Sequence, residues 1–298
     1  MVCAMGVVEG WTRCARGHQH WGRHGAAGML IFHRDAELGP CVLLQQRAWW
    51  CSGALTWCLF GGGRLGGEDP VAAALRETTE ECTLDVGALR LHGMVHDDHG
   101  GWSYTTVIAS ADRMHPVRPA SAETRRARWF PLEKVARLRL FEPFAASWPR
   151  LATMMSRLVL VVDAANVVGS RADGWWRDRA AATARLRDEL AGLAERGVTG
   201  LPEDVIGHDA SFPEIVLVVE GAARSVAGSG ADPAPEGPAG GVRVVAASGS
   251  GDDAIVELVR TAEPDAICLV VTADRDLRAR VAAAGGRCIG PSWLLSQL

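Results

Sequence analysis

The 298-residue sequence predicts an α+β domain followed by an α/β domain built on a parallel sheet. The length suits two domains, because a typical domain has about 100–200 residues. Composition changes near residue 156, since eight of the nine histidines and eight of the eleven tryptophans precede it. Short strand candidates surround one strong helix candidate in the first half, whereas apolar strands alternate with helices in the second. We therefore place the domains at 1–155 and 158–298, with a linker at about 151–157.

Composition excludes several classes of protein. With 48% apolar and 22% charged residues, the chain suits a globular protein with a buried core and not a disordered one. No apolar run approaches the ~20 residues of a membrane-spanning helix, and residues 1–11 lack the basic start of a secretory signal. We therefore expect a cytoplasmic protein with no membrane partner. The eight cysteines show no regular framework and are expected to be reduced thiols.

The net charge of −4 is unevenly distributed. Residues 1–156 carry 17 basic and 15 acidic side chains, and residues 157–298 carry 14 and 20. Neither half has the basic excess typical of a nucleic-acid-binding surface, so any RNA contact would have to be local.

The strongest helix signal of the first half covers residues 70–82. Asp69 is a favourable N-cap and Pro70 a favourable first residue, and good helix formers follow. At about 100° per residue, the helix groups its side chains into an apolar face and a separate acidic face. The apolar face contains Val71, Leu75, Thr78 and Cys82. The acidic face contains Glu77, Glu80 and Glu81. The strand candidates that complete the α+β pattern lie at 28–33, 41–46, 103–110 and 128–130.

The acidic face predicts a metal site. Three carboxylates at positions i, i+3 and i+4 repel one another unless a cation lies among them, and hard cations such as Mg²⁺ or Mn²⁺ take oxygen ligands. Arg76 can hold one carboxylate in orientation, and the glycine-rich segment 61–67 lets backbone approach a phosphate closely. These residues indicate phosphate chemistry. The alternative is a solvated amphipathic helix with an Arg–Glu salt-bridge lattice.

The spacing of these residues resembles the signature of the Nudix hydrolases: glycine, five residues, glutamate, seven residues, Arg-Glu, two residues, Glu-Glu. The six positions are here Gly62, Glu68, Arg76, Glu77, Glu80 and Glu81. The resemblance extends over most of residues 20–150 and departs from the family at Phe60, Thr78 and Thr83. It implies an α/β/α sandwich that hydrolyses nucleoside diphosphates linked to another group, with Mg²⁺ or Mn²⁺ as cofactor.

The resemblance also implies roles for individual residues. The carboxylates implied to hold the cations are Glu77, Glu80 and Glu81. Glu68 and Arg76 would brace them, and one carboxylate would accept the proton of the attacking water. Glu123 lies in a segment that resembles the family's late Glu-to-Trp region and is a further candidate metal ligand. An inactive Nudix fold used for binding is the alternative.

Two further groups of residues in the first half are candidates for binding. The candidate substrate-binding residues are Gly62 and Gly63, with Trp102 or Tyr104 stacking on a base. For the aromatic residues the alternative is a polar turn with a core aromatic. The potential zinc ligands crowded into the N-terminal segment are Cys14, His18, His20 and His24. Their spacing differs from a standard zinc finger, and a polar arm packed by Trp11 and Trp21 is the alternative.

The second half predicts a parallel sheet, because its apolar runs alternate with helix candidates. The strand candidates lie at 158–162, 215–219, 242–246 and 267–271. The helix candidates lie at 177–196, 253–261 and 276–284. Residues 227–241 are of low complexity and are interpreted as a surface loop within this domain.

Acidic residues follow several of these strands. The acidic and amide residues in question are Asp163, Asn166, Asp252, Asp253, Asp274 and Asp276. In an open parallel sheet ligands bind at the carboxyl ends of the strands, so these side chains are expected to converge at one edge. They would repel one another unless a metal ion joined them. Service as helix N-caps is the alternative.

The arrangement resembles the NYN branch of the PIN-like nucleases, with Asp163 and Asn166 after the first strand and Thr272, Asp274 and Asp276 after the last core strand. The resemblance implies a PIN-like (Rossmannoid) fold and metal-dependent cleavage of RNA. Basic residues that are available for RNA are Arg171, Arg177, Arg179 and Arg275, and the aromatic residues are Trp175 and Trp176. The acidic excess of this half opposes RNA binding.

Together these patterns predict a Mg²⁺-dependent Nudix pyrophosphohydrolase, acting on a nucleoside triphosphate or nucleotide derivative, with an appended ribonuclease domain. One alternative is an RNA-processing nuclease whose Nudix domain recognises a nucleotide. Another is a nucleotide-sensing module without turnover.

Overall fold

The computed structural model describes residues 10–171, 175–227 and 241–298. The chain divides into two compact units, Met1–Met155 and Ser156–Leu298. The low-complexity loop predicted at 227–241 lies, apart from its two ends, outside the described residues. Among the helices of the described residues, none is both long enough and apolar enough to span a bilayer.

The first unit contains nine strands and three helices in its described residues. The strands are β1 Trp11–Arg13, β2 Gln19–Trp21, β3 Ala26–Asp35, β4 Gly39–Arg47, β5 Trp57–Cys58, β6 Phe60–Gly63, β7 Arg90–Asp98, β8 Ser103–Ser110 and β9 Thr124–Pro131. The helices are α1 Pro70–Glu81, α2 Leu132–Val135 and α3 Glu142–Leu151.

Strand β3 is the centre of the first unit. It pairs in parallel with β8 and antiparallel with β4 and β6, in a mixed sheet of order β7-β8-β3-β4-β5. Leu30 and Phe32 pack in a cluster with Phe144 and Trp148 of α3. The alternate residue Met29 is fully buried, and α1 packs against β3 and β6. Helices therefore enclose the sheet in three layers, as the Nudix resemblance implies.

Helix α1 begins as the sequence predicts. The Asp69 carboxylate accepts hydrogen bonds from the backbone N–H groups of Val71 (2.8 Å) and Ala72 (3.3 Å). At the other end, Cys82 is extended, and Thr83 exchanges hydrogen bonds with the backbone of Arg118. The chain therefore leaves the helix as a short bridge, so Thr83 in place of the family's glycine needs no left-handed conformation.

The second unit is an α/β domain. Its strands are β10 Arg157–Asp163, β11 Val198–Thr199, β12 Ala210–Ser211, β13 Glu214–Val219, β14 Val242–Ala246, β15 Ala266–Val271 and β16 Arg287–Ile289. Its helices are α4 Ala164–Gly169, α5 Arg179–Arg196, α6 Gly251–Arg260, α7 Arg275–Ala283 and α8 Pro291–Gln297.

The main sheet of the second unit has the order β14-β13-β10-β15-β16, and every pairing within it is parallel. Its central strand is buried on both faces: Leu160 and Val162 belong to one apolar cluster and Val161 to the other. The four predicted strands are confirmed. The fifth, β16, escaped prediction because it is three residues long and not fully buried. Strand order reverses between β10 and β15, which is where such sheets bind ligands.

Candidate functional site

Arg76 organises the carboxylates of the first unit. Its guanidinium donates to Glu68 Oε1 through Nε (2.8 Å) and to Glu77 Oε1 through Nη1 (2.8 Å), and Glu80 Oε2 lies 3.4 Å from Nη1. Nη2 donates to the carbonyl of Gly63 (3.0 Å). The hydrogen bond from Arg76 lowers the pKa of Glu68. The Arg76 guanidinium thus connects the loop that carries Glu68, the glycine strand β6 and helix α1. We call Glu68, Glu77, Glu80 and Glu81 with Arg76 the carboxylate site.

Glu81 is held by neutral donors. It is only 8% exposed, and its Oε2 accepts hydrogen bonds from Gln45 Nε2 (2.7 Å) and from the Gly61 N–H (2.9 Å). The Gln45 amide oxygen in turn accepts from Thr124 Oγ1 (2.7 Å). Burial raises the pKa of Glu81 to about 7. This fixed, poorly solvated carboxylate is a group whose charge a bound cation would stabilise.

The position of Glu81 corrects the sequence prediction of an acidic face separate from the buried one, and it counts against the solvated alternative. Helix α1 buries Ala73, Ala74 and Thr78 on the same side as Glu81. The reason is the glycine strand beneath the helix: a Cβ on Gly62 would lie 2.5 Å from the Glu77 carboxyl group. Because its last three residues are glycines, the glutamates can enter the interface between helix and sheet.

The donor set fits a hard divalent cation. It consists of carboxylate oxygens, which Mg²⁺ and Mn²⁺ prefer, and burial raises the pKa values of both Glu77 and Glu81. Glu77, Glu80 and Glu81 are the residues that would hold such an ion. All six motif positions are thus brought together, and Gly63 lies with them.

The predicted aromatic residues occupy different surroundings. The Tyr104 hydroxyl lies over Gly28 of β3, where a Cβ would overlap it, and burial raises the pKa of Tyr104. Trp102 has partners of its own. One face of its ring stacks on His20 at 3.8 Å between centroids, and its Nε1 donates to the carbonyl of Gly22 (2.8 Å). One of its faces is therefore already covered.

The role of Glu123 as a metal ligand stays a prediction. Its side chain is exposed, and within the described residues no hydrogen bond or ion pair links it to the glutamates of α1. The adjacent residue, Thr124, is buried and donates to Gln45. Thr124 therefore supports Glu81 through Gln45, whereas Glu123 precedes β9 and its carbonyl accepts a hydrogen bond from the Ala48 N–H (2.8 Å).

A second group of acids meets in the second unit. Asp163, Glu220, Asp252 and Asp274 line a cavity of about 280 Å³ at the carboxyl ends of β10, β13 and β15, and Asn166 lines it with them. We call this the acid pocket. It lies beside the point where the strand order reverses, as the sequence argument expects.

Hydrogen bonds hold the acid pocket in shape. Asp163 accepts from the Asn166 N–H (3.1 Å) and from Thr272 Oγ1 (3.1 Å), and the Asn166 amide oxygen accepts from the Ala273 N–H (2.9 Å). Asp274 caps α7 by accepting from the Leu277 N–H (2.9 Å). Capping, the alternative weighed for these acids, is therefore present together with the convergence.

The carboxyl groups of the acid pocket raise one another's pKa values. Burial raises the pKa of Asp163, and the nearby charges of Asp252 and Glu220 raise it further. Burial followed by the charge of Asp274 raises the pKa of Asp252. Four mutually repelling carboxyl groups are a set that a divalent cation would neutralise.

Two predicted acids lie outside the pocket, and one that lines it was missed. Asp253 is exposed and pairs with Arg280, and Asp276 is exposed in the first turn of α7. Asp253 is displaced because neighbouring helical residues point about 100° apart, and Asp276 lies inside α7, two residues after the N-cap Asp274. Glu220 follows β13 directly and accepts from the Gly251 N–H (2.7 Å). An acid directly after an apolar strand was the signal used for Asp163, and it would have identified Glu220.

The predicted RNA-binding residues do not line the pocket. Arg171 pairs with Glu189, and Arg179 lies over the Trp175 ring at 5.0 Å. Trp176 is exposed. Arg177 and Arg275 are also exposed.

Comparison with known proteins identifies the family of the first unit. The profile of the NUDIX domain matches residues 22–151. A Mycobacterium tuberculosis protein named "Putative 8-oxo-dGTP diphosphatase 3" is 39% identical over 156 residues, which is 50% of this chain and 70% of that protein. The chain belongs to the Nudix hydrolase family.

Other Nudix proteins match the same share of the chain. A Bifidobacterium longum protein named "Nucleoside triphosphate pyrophosphatase/Nudix hydrolase fusion protein" is 36% identical over 154 residues, 50% of this chain. The chain spans only 32% of the length of that relative. The crystal structure of the Mycobacterium smegmatis Nudix hydrolase RenU is 39% identical, with a TM-score of 0.46, and the match covers 48% of this chain and 92% of that one.

Proposed function

We propose that the first unit is a Mg²⁺- or Mn²⁺-dependent pyrophosphohydrolase that cleaves a nucleoside diphosphate-linked substrate. The observation that carries the proposal is the fixed geometry of the six motif positions, with Glu81 buried between Gln45 and Gly61 and with Arg76 joining Glu68 to Glu77. Because one relative is named as a putative 8-oxo-dGTP diphosphatase, nucleoside triphosphates, 8-oxo-dGTP among them, are the first substrates to test.

Each residue of the carboxylate site has a role in this proposal. A bound divalent cation neutralises phosphate charge and lowers the pKa of water. Glu77, Glu80 and Glu81 hold it, and Arg76 keeps Glu77 oriented while Glu68 anchors Arg76. One carboxylate accepts the proton of the water that attacks phosphorus. The glycines of β6 leave room for the phosphates to approach the backbone.

The test is product release by the full chain with Mg²⁺ on a panel of nucleoside triphosphates, nucleoside diphosphate sugars and dinucleotides. Glu81→Gln removes a carboxylate of the site, and Glu133→Gln, an exposed glutamate on α2, is the matched control. We expect one substrate class to be hydrolysed by the wild type and by Glu133→Gln but not by Glu81→Gln. An absence of turnover across the panel would contradict the proposal and favour the nucleotide-sensing alternative.

A second candidate function belongs to the acid pocket. We infer a metal-dependent nuclease activity on RNA, with Mg²⁺ or Mn²⁺ held by Asp163, Asp252 and Asp274. The convergence of acids from four segments at the strand-order reversal supports it, as does the NYN resemblance of Asp163 and Asn166. The 20 acidic against 14 basic residues of this half weigh against a long RNA contact.

Single-stranded RNA with Mn²⁺ is the probe for this activity. Wild-type cleavage that is lost in Asp163→Asn and kept in Glu81→Gln would support a nuclease in the second unit. If the RNA stays intact with the wild type, the nuclease proposal is wrong and the Nudix proposal is untouched.

A further inference from the structure

Four potential metal ligands of the first unit meet outside the carboxylate site. Cys14, His18 and His20 come from the β1–β2 hairpin and His99 from the loop between β7 and β8. One ligand atom of each lies within 4.8 Å of the others. We call these four residues the Cys-His cluster.

The cluster differs from the sequence prediction in one member. The sequence grouped His24 with Cys14, His18 and His20, but His24 lies beside Gly66, with its Nε2 3.4 Å from where a Cβ on that glycine would be. Gly22 and Gly25 both have φ of +88° and turn the chain away after β2. His99 takes the fourth position. Its distance along the chain hid it from an argument based on spacing.

Two ring nitrogens of the cluster have no partner. His20 Nε2 and His99 Nδ1 are buried and make no hydrogen bond within the described residues. A buried polar atom without a partner has lost its hydrogen bond to water and gained nothing in return, so such atoms require an explanation. A metal ion that accepts both lone pairs provides one.

Asp97 orients the His99 ring for this role. The other nitrogen of the ring, Nε2, lies 3.2 Å from Asp97 Oδ2. A carboxylate at that distance favours a proton on Nε2, which leaves the lone pair on Nδ1, the buried nitrogen that makes no hydrogen bond. In a metal-bound histidine, the N–H of the second ring nitrogen usually donates a hydrogen bond to a carboxylate in this way.

The surrounding structure holds the ligands in place. The Cys14 N–H donates to the carbonyl of His18 (3.1 Å), which closes the hairpin, and Cys14 is only 5% exposed. The Ala15 N–H donates to the carbonyl of Gly100 (2.8 Å) and joins the hairpin to the loop that carries His99. Trp102 stacks on the His20 ring. Cys14, His20 and His99 are therefore positioned by contacts other than those to a metal, and His18 is the exposed member of the cluster.

We propose that the Cys-His cluster is a structural zinc site. One thiolate and three imidazoles match the ligands that Zn²⁺ takes, and the thiolate disfavours Mg²⁺ and Ca²⁺. Four protein ligands fill a tetrahedral shell and leave no open position for catalysis. The ion fastens the N-terminal hairpin to the β7–β8 loop and so holds Trp102 in place through His20.

Zinc content tests the site directly. The full-length protein is expressed with zinc, dialysed, and analysed by plasma mass spectrometry, and we expect about one zinc per chain. His99→Gln and Cys14→Ser should lose this zinc. His115→Gln, a histidine on the surface that pairs with Asp112, is the matched control and should keep it. Glu81→Gln should also keep it, which separates this site from the carboxylate site.

The ligand identities have their own measurement. X-ray absorption at the zinc edge should give one sulfur at about 2.3 Å and three nitrogens at about 2.0–2.1 Å. Circular dichroism of each variant and of the wild type in chelator shows whether a variant that lacks zinc is still folded. Zinc that remains in both His99→Gln and Cys14→Ser, or folded wild type that takes up no stoichiometric zinc on reconstitution, would overturn the proposal.

Discussion

The carboxylate site of the first unit and the acid pocket of the second differ in where their residues come from. The six motif positions lie between Gly62 and Glu81, on one strand, one loop and one helix. The acid pocket draws Asp163, Glu220, Asp252 and Asp274 from four separate segments. A contiguous motif can therefore be read from spacing, whereas a site at the edge of a sheet depends on the order of the strands.

The two sites also balance charge differently. Arg76 contacts three of the four carboxylates in the first site, and neutral donors hold the fourth. In the acid pocket, the Arg280 guanidinium lies 4.0 Å from Asp252 at the rim and pairs more closely with Asp253. The first site is thus braced by its own residues, whereas the carboxylates of the second have less positive charge around them.

One substitution in each site tests whether the carboxylate site and the acid pocket act independently. Glu81→Gln should lower kcat for nucleotide hydrolysis by about 10²–10⁴-fold, because it removes a fixed carboxylate of the reaction site. Asp163→Asn should leave that kcat unchanged. Steady-state kinetics with the preferred nucleotide measure both. If Asp163→Asn also abolished hydrolysis, the two sites would not be independent.

A glycine tests whether the first site depends on the bare strand beneath helix α1. Gly62→Ala would place a Cβ 2.5 Å from the Glu77 carboxyl group, so we expect a loss of about 10–100-fold in kcat/KM, the range typical of residues that orient metal ligands. Gly66→Ala, in the loop that follows β6, would meet His24 at an ordinary 3.4 Å and should be tolerated. Equal losses in both variants would show that the loop's flexibility, and not room for Glu77, is what matters.

The sequence alone predicted the helix that carries the carboxylate site well. Residues 70–82 were predicted as a helix, and α1 covers Pro70–Glu81, because the Asp69 cap and the following helix formers act over short range. The burial of Glu81 was not predicted, since it depends on Gln45 of β4 and on the glycines of β6. Long-range contacts of this kind leave no mark in helical periodicity.

The acid pocket, whose residues come from separate segments, shows what residue spacing alone cannot predict. Convergence of the acids was predicted because parallel strands end at one edge, but Asp253 and Asp276 were assigned in place of Glu220. One residue of shift rotates a helical side chain by about 100°, which is finer than any boundary predicted from sequence. Strand β7 was not predicted because Arg90–Asp98 mixes charged residues, histidines and a glycine and so lacks the alternation typical of a strand.

Removing one charge should change stability in opposite directions in the two units. Glu68→Gln takes the main partner from Arg76 and should lower the stability of the first unit by about 1–3 kcal/mol.

Asp252→Asn removes a like charge beside Asp163 and should raise the thermal midpoint of the second unit by about 1–4 °C in chelator. Calorimetry of the full chain follows both transitions.

The matched control for the second unit is Asp253→Asn. Asp253 is the exposed neighbour of Asp252 and pairs with Arg280, so its loss should bring no rise in the midpoint. A metal ion should stabilise the wild-type second unit more than the Asp252→Asn variant. A lower midpoint for Asp252→Asn in chelator would mean that its contact with Arg280 outweighs the repulsion inside the pocket.

The smallest expected effect concerns the end of helix α1, where Thr83 replaces the glycine of the Nudix pattern. Restoring the family residue with Thr83→Gly should destabilise the first unit by about 0.5–1 kcal/mol, because the Thr83 hydroxyl accepts a hydrogen bond from the Arg118 N–H (3.0 Å) in an extended chain. Thr83→Ser keeps the hydroxyl and should lose less. A stabilised Thr83→Gly would instead show that the helix prefers the family's left-handed exit, and that the local motif is strained where it meets residues 118–120.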